Sequence, residues 1–209
     1  MTNRMAGLLA VALMTVVVPA PVRAQAGLPP GVFAAERDLG LATAGTYSLD
    51  EAHTAVLARV SHLGYSHSVF RFDRVRGKLV WDPSAIEKST LEASVETASI
   101  TSNVKGFAEE LAGEKFLNAR QFPQATFVST AFKPVDRTRG TVEGRFTLMG
   151  KTRPITFDVS LGGAGKGFEG KPRLGLTAVA TIAPQDYGLP PMFTDPIQIV
   201  IDTEFEKAP

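Results

Sequence analysis

Three histidines, His53, His62 and His67, are the side chains of this sequence best suited to chemistry, and they crowd into one short stretch. Imidazoles grouped in this way suggest a bound metal ion, and a metal-held water would make the chain a hydrolase. His62 and His67 flank the turn sequence Gly64-Tyr65-Ser66, so they could approach each other, and His53 precedes the same strand. The spacing argues against convergence: there is no His-x-x-x-His pair, and on a regular strand His53 and His62 have opposite parity and face opposite sides. His62 is in phase with Val56 and Val60, which reads instead as an interior hydrogen-bonding residue or a contact for the polar end of a ligand. Other chemistry fares worse. No serine sits in a Gly-x-Ser-x-Gly elbow. Glu109, Glu110 and Glu114 read as the wet face of a helix rather than an acid and base pair. Gly162 to Gly167 has the look of a phosphate cradle but lacks the Walker spacing and a following helix, so Gly162 to Gly170 is predicted to be a flexible hairpin loop.

Composition narrows the classes further. With 0 Cys, disulfides, thiolate nucleophiles, iron–sulfur centres and Cys-ligated zinc are excluded. Lys plus Arg number 22 and Asp plus Glu 21, a balance that leaves no nucleic-acid footprint. At the start, Arg4, the apolar run Leu8 to Val18 and the small residues around Ala24 and Ala26 form an export signal, predicted to be cleaved after one of those two alanines. The run is about 11 residues, short of the ~20 that span a bilayer, and no later segment comes nearer. The expectation is a soluble, exported protein organised as a signal peptide over 1–24, a flexible arm over 25–45 and a β domain over 46–207.

The elements that must position any site are mostly strands. Alternation is clear at Val56/Ala58/Val60, Phe70/Phe72, Leu79/Trp81, Leu91/Ala93/Val95, Val142/Phe146/Leu148, Ile155/Phe157/Val159, Leu174/Leu176/Ala178 and Ile197/Ile199/Ile201. Between Ala125 and Phe132 it leaves the inward face ambiguous. One interruption, about 101–123, is predicted to be a helical insert: Val104, Phe107 and Leu111 share a helical face and must cover something apolar. About eight or nine short antiparallel strands either stack as a sandwich or close on themselves, and Gly144 and Gly175 inside strands lean towards closure. The candidate interior is Val56, Val60, Phe70, Phe72, Phe107, Leu111, Phe116, Phe127, Phe146, Leu148, Leu176 and Ala178, which either line a ligand cavity or fill a solid core. His62, Ser66 and Arg153 are the polar candidates near a mouth.

Several ordered signatures resemble the YceI-like polyisoprenoid-binding proteins. They run from Tyr47-Ser48-Leu49-Asp50-x-x-His53-Thr54 and Val60-x-His62-x-Gly64-x-Ser66, through Trp81-Asp82-Pro83 and Phe116-Leu117-Asn118, to Gly144-x-Phe146-Thr147-Leu148-x-Gly150-x-Thr152-Arg153-Pro154 and Asp186-Tyr187-Gly188. Thr54, Met149 and Ala183-Pro184-Gln185 depart from the usual pattern at positions that could meet a ligand head group. The resemblance implies an all-β fold with one short helical insert, an eight-stranded antiparallel lipocalin-like barrel. It also implies a periplasmic protein for non-catalytic binding, storage or transport of a long isoprenoid such as a quinone tail, with no other cofactor, passing membrane contact, and dimers in some members.

Overall fold

Among the described residues the first and last strands lie side by side and seal the seam of a barrel. The computed structural model describes residues 35–167 and 170–209; the expected signal peptide and the arm as far as residue 34 lie outside the described residues. The strands are β1 (Gly45–His62), β2 (Ser66–Phe72), β3 (Val75–Trp81), β4 (Thr90–Glu96), β5 (Ile100–Thr101), β6 (Gln124–Pro134), β7 (Arg139–Leu148), β8 (Lys151–Lys166), β9 (Pro172–Ile182) and β10 (Ile197–Lys207), with helices α1 (Phe107–Ala112) and α2 (Pro184–Tyr187). All pairings are antiparallel, in the order β10-β9-β8-β7-β6-β4-β3-β1-β2-β5, and β10 also pairs with β1. The first half of β1 pairs with β3 and its second half with β2. So β2 and β3 act as one bent stave, as do β4 and β5, and the wall is a closed antiparallel barrel of eight staves. Closure removes the exposed edges that an open sheet would present.

Three bulges adapt the alternating pattern to this closed wall. In β6 the register with β7 slips between Ser129 and Ala131, which reverses parity, so that Phe127 before the slip and Phe132 after it both face inward. That slip is why alternation alone gave no inward face for this strand. In β8 a slip between Leu161 and Gly163 does the same, turning both Leu161 and Ala164 inward. The predicted glycine loop is therefore mostly strand, since β8 continues to Lys166. Its glycines leave room on the outer face for a neighbour: a Cβ on Gly163 would sit 2.5 Å from that of Ala35. In β1 the shift between Asp50 and Ala55 makes room for a side-chain cluster described below.

Two further expectations need correcting. The arm is not free from residue 36 onward: Glu36 pairs with Ala164, Ala42 is buried, and the Trp81 indole and Tyr47 hydroxyl donate to the carbonyls of Ala42 and Thr43 at 3.1 and 2.7 Å. Polar tips of two core aromatics tie this segment across one end of the barrel. The helical insert is also smaller than 101–123. Only Phe107–Ala112 is helical, Val104 lies outside it and is exposed, and Gly113 ends it. Asn118, with φ of 45°, begins a turn that sends Phe116 and Leu117 into the core. α2 fell in a stretch with no periodic signal; it places buried Tyr187 against Phe146, ring centroids 5.4 Å apart.

Candidate ligand cavity

Along the barrel axis runs a cavity of about 290 Å³, walled by the inward faces of the staves. At one end it is closed by the insert and the β9–β10 connection, through Leu111, Phe116, Leu117, Leu189 and Phe193. At the other end the lining changes character. Lys133, Asp136, Arg137 and Arg139, all on the β6–β7 hairpin, are the charged side chains of the lining, and they are exposed. The cavity therefore opens beside that hairpin. Asp136 organises its tip: it accepts from the Thr138 backbone N–H at 2.8 Å and pairs with Arg139 at 2.8 Å, and these bonds draw its carboxyl down to about 2. Lys133 pairs with Glu143, leaving Arg137 as the rim cation with no described partner.

Each candidate residue can now be placed. Val56, Val60, Phe70, Phe72, Leu111, Phe116, Phe127, Phe146, Leu148, Leu176 and Ala178 line the cavity. Phe107 stands behind that lining, half-buried, its ring 6.0 Å from Phe70. His62 and Ser66 are exposed at the β1–β2 hairpin, and Arg153 is exposed at the start of β8, where it donates to the Thr152 carbonyl; none of the three is part of the lining. The rim residues Lys133, Arg137 and Arg139 were missed because a hairpin tip has no burial pattern.

The three histidines do not assemble. His62 faces Ser66 and His67 faces Ser61 across the β1–β2 ladder, so the two project to opposite sides, and His53 lies roughly 20–30 Å away along β1. His53 belongs to a different cluster, built in the β1 bulge. Its Nδ1 lies 2.8 Å from Asp50 Oδ2, while Thr54 donates to the Asp50 carbonyl at 2.7 Å and meets Thr203 at 2.8 Å in the barrel wall. The Asp50-x-x-His53-Thr54 signature is thus the side-chain scaffold of a bulge. Asp50, His53 and Glu204 bring ligand atoms within 4.8 Å of one another, a set that could hold a cation. Arg173 already supplies that charge, its Nη1 at 2.7 Å from Asp50 and 2.6 Å from Glu204 and its Nη2 at 2.7 Å from Glu206. Burial acts to raise the Asp50 pKa, and hydrogen bonds from His53 and Arg173 outweigh it, leaving the carboxyl below its usual range. An outer cleft of about 530 Å³ adjoins this cluster over β8–β10, but it is an open, mixed-polarity surface trough.

Comparison with known proteins agrees with this geometry. The YceI-like domain matches residues 47–205. A UPF0312 protein of Pseudomonas putida is 36% identical over 152 residues, covering 72% of this chain and 79% of its own. A UPF0312 protein of Shewanella is 34% identical over 150 residues, covering 71% and 78%. Among solved structures, Burkholderia cenocepacia BcnA superposes with a TM-score of 0.67 at 23% identity, covering 75% of this chain and 98% of that one. A polyisoprenoid-binding domain from Saccharophagus degradans superposes with a TM-score of 0.57 at 13% identity, covering 78% and 98%. These two establish likeness of fold.

Proposed function

The chain belongs to the YceI-like domain family, and on that premise we propose that it binds a polyisoprenoid or similar long lipid in its barrel, without catalysis. One observation carries the proposal: an axial cavity whose walls are hydrocarbon and whose charged groups are confined to a single rim. Such a site matches a molecule with a long apolar body and one polar end. The solved polyisoprenoid-binding domain of the same fold supports the choice of ligand class. At about 290 Å³ the cavity stands at the small end of the ~300–1,000 Å³ typical of ligand pockets, so it takes a short run of methyl-branched chain and the rest emerges past the β6–β7 hairpin.

In this arrangement Val56, Val60, Phe70, Phe72, Leu111, Phe116, Phe127, Phe146, Leu148, Leu176 and Ala178 touch the chain, with Phe107 buttressing Phe70. A quinone or other head group rests near Lys133, Arg137 and Arg139, away from His62, Ser66 and Arg153. Burying hydrocarbon is worth ~0.8 kcal/mol per CH₂ against water, but a lipid leaving a bilayer already has most of that gain. Capture and release are then nearly balanced, which suits a carrier or store. An export signal over 1–24, expected from the sequence, would take the protein to the periplasm, and no helix among the described residues is long and apolar enough to cross a membrane.

Native mass spectrometry of protein purified from a bacterial periplasm tests both points. The expected spectrum shows a chain beginning at Gln25 or Gly27 with lipid bound. Ala178→Trp, which fills the cavity, should lower lipid occupancy at least tenfold, with Ala58→Phe as a second filling variant. A lipid-free natural protein, or filled variants that fold and keep their full load, would overturn the proposal.

A further inference from the structure

A segment outside the barrel wall lies against the mouth of the cavity. Residues 36–42 run past β8 beside the β6–β7 hairpin: Arg37 Nε donates to the Leu161 carbonyl at 3.2 Å, and the N–H of the same Leu161 donates to the Thr138 carbonyl at the hairpin tip at 2.7 Å. In the middle of the segment is a single 3₁₀ turn, Leu39–Leu41, begun by the Asp38 carboxylate, which accepts from the Gly40 N–H at 2.9 Å. That turn brings Leu39 into the cavity lining together with Ile86 of the β3–β4 connection, and both are half-buried. They pack on one buried group that includes Trp81, Leu161 and Leu174. The attachment is slight. Among the described residues the segment is tied to the wall by the Glu36–Ala164 bridge, at 3.0 and 2.8 Å, by the Arg37 bond and by the Trp81 indole, which donates to the Ala42 carbonyl. Ala42 is buried and Leu39 half-buried, while the other residues of the segment are exposed. A segment with so few ladder bonds and buried contacts opens at far smaller cost than the closed wall beneath it.

We infer that residues 36–42 form a strap that swings clear of the mouth when lipid enters, and that Leu39 on it decides how much of the chain the barrel covers. The inference rests on lipid binding in the cavity. With the strap down, Leu39 narrows the way out beside the hairpin. With it lifted, Trp81, Leu161 and Leu174 lose part of their cover and offer apolar wall to the emerging isoprene units. In an empty barrel that exposure to water is unfavourable, whereas a bound chain covers the same surface. Lipid therefore binds the lifted state better and draws the equilibrium towards it. The far end of the strap is held more firmly: Tyr47 donates to the Thr43 carbonyl at 2.7 Å and Lys207 to the Thr43 hydroxyl at 3.1 Å, which places the hinge near Ala42 and Thr43. Across the mouth the hairpin is the fixed side, its tip braced by the bonds from Asp136 to Thr138 and Arg139.

The chain has 0 Cys and 1 Trp, so an added disulfide can lock the strap and Trp81 can report on it. Glu36 and Ala164 exchange both backbone hydrogen bonds, and the Cα separation of such a pair, about 5.5 Å, suits a disulfide. In the double variant Glu36→Cys with Ala164→Cys, acrylamide quenching of Trp81 in lipid-free protein should be about twofold weaker when oxidised than after reduction with dithiothreitol. Uptake of geranylgeraniol, followed by native mass spectrometry, should be about tenfold slower in the oxidised form. Leu39→Ala, which needs no cross-link, should shift the preference for geranylgeraniol over the shorter farnesol by about tenfold. Equal quenching or equal uptake in the two redox forms, or an unchanged preference in Leu39→Ala, would overturn the strap while lipid binding stands. Failure of the natural and reduced proteins to take up either isoprenol would instead overturn the function of the cavity, and the strap with it.

Discussion

Arg173 shows how much of this molecule depends on single side chains outside the cavity. It neutralises Asp50, Glu204 and Glu206 together and stands only partly exposed, so its removal leaves three carboxylates crowded on one face. Arg173→Leu should cost about 1–3 kcal/mol at neutral pH by urea denaturation. The pH dependence follows from the same bonds. Asp50 and Glu206 are held below their ordinary pKa, Glu206 chiefly by Arg173 and then Lys171. Groups depressed in the folded state stabilise it fully above their unfolded pKa, and that stability is lost as the pH falls through the lower folded value. The urea midpoint should therefore hold from pH 7 to about 5 and fall below about 4, and Arg173→Leu should flatten the acid slope. At this scale the sequence was least legible. The histidines were visible as a group, yet the bulge that separates His53 from the others arises from pairing with β10, about 150 residues away.

At the scale of elements, alternation located the strands well because one face of each is buried against the others. It failed where a strand changes face midway, as in β6 and β8, since a bulge is set by the partner strand and leaves no periodic trace. Gly144 is a place where the sequence did speak. A glycine inside a strand marks a sharp bend or a close approach to the backbone, and here a Cβ would lie 2.4 Å from the Phe127 ring and 2.5 Å from the Val128 carbonyl oxygen. Gly144→Ala should destabilise the barrel by about 1–3 kcal/mol or more, measured by thermal or chemical unfolding. Gly175→Ala is the contrast: its nearest neighbour lies at 3.7 Å, an ordinary contact, so the cost should stay below about 1 kcal/mol. Leu111 offers a check on the insert. It is the buried residue of α1 and closes the cavity, and Leu111→Ala should cost about 2–4 kcal/mol while easing access to the interior.

For the whole molecule, the barrel, its strand count and its apolar interior were legible from pattern and signatures together, whereas the open end was not. Hollowness was also beyond reach, because the same alternating valines and phenylalanines serve a packed core and a lined one. A hollow barrel has a thermodynamic consequence. Lipid that binds the folded state alone raises stability by RT ln(1 + [L]/Kd), ~2.7 kcal/mol at a hundredfold excess over Kd, so delipidated protein should melt several degrees lower and recover when lipid is restored. The seam described at the outset has another. β1 and β10 are the first and last strands among the described residues, so the cylinder cannot shut until β10 has been made. Until then a nascent polypeptide has no complete hydrogen-bonded circuit to fall into and stays threadable, the state in which a secretion channel can accept it.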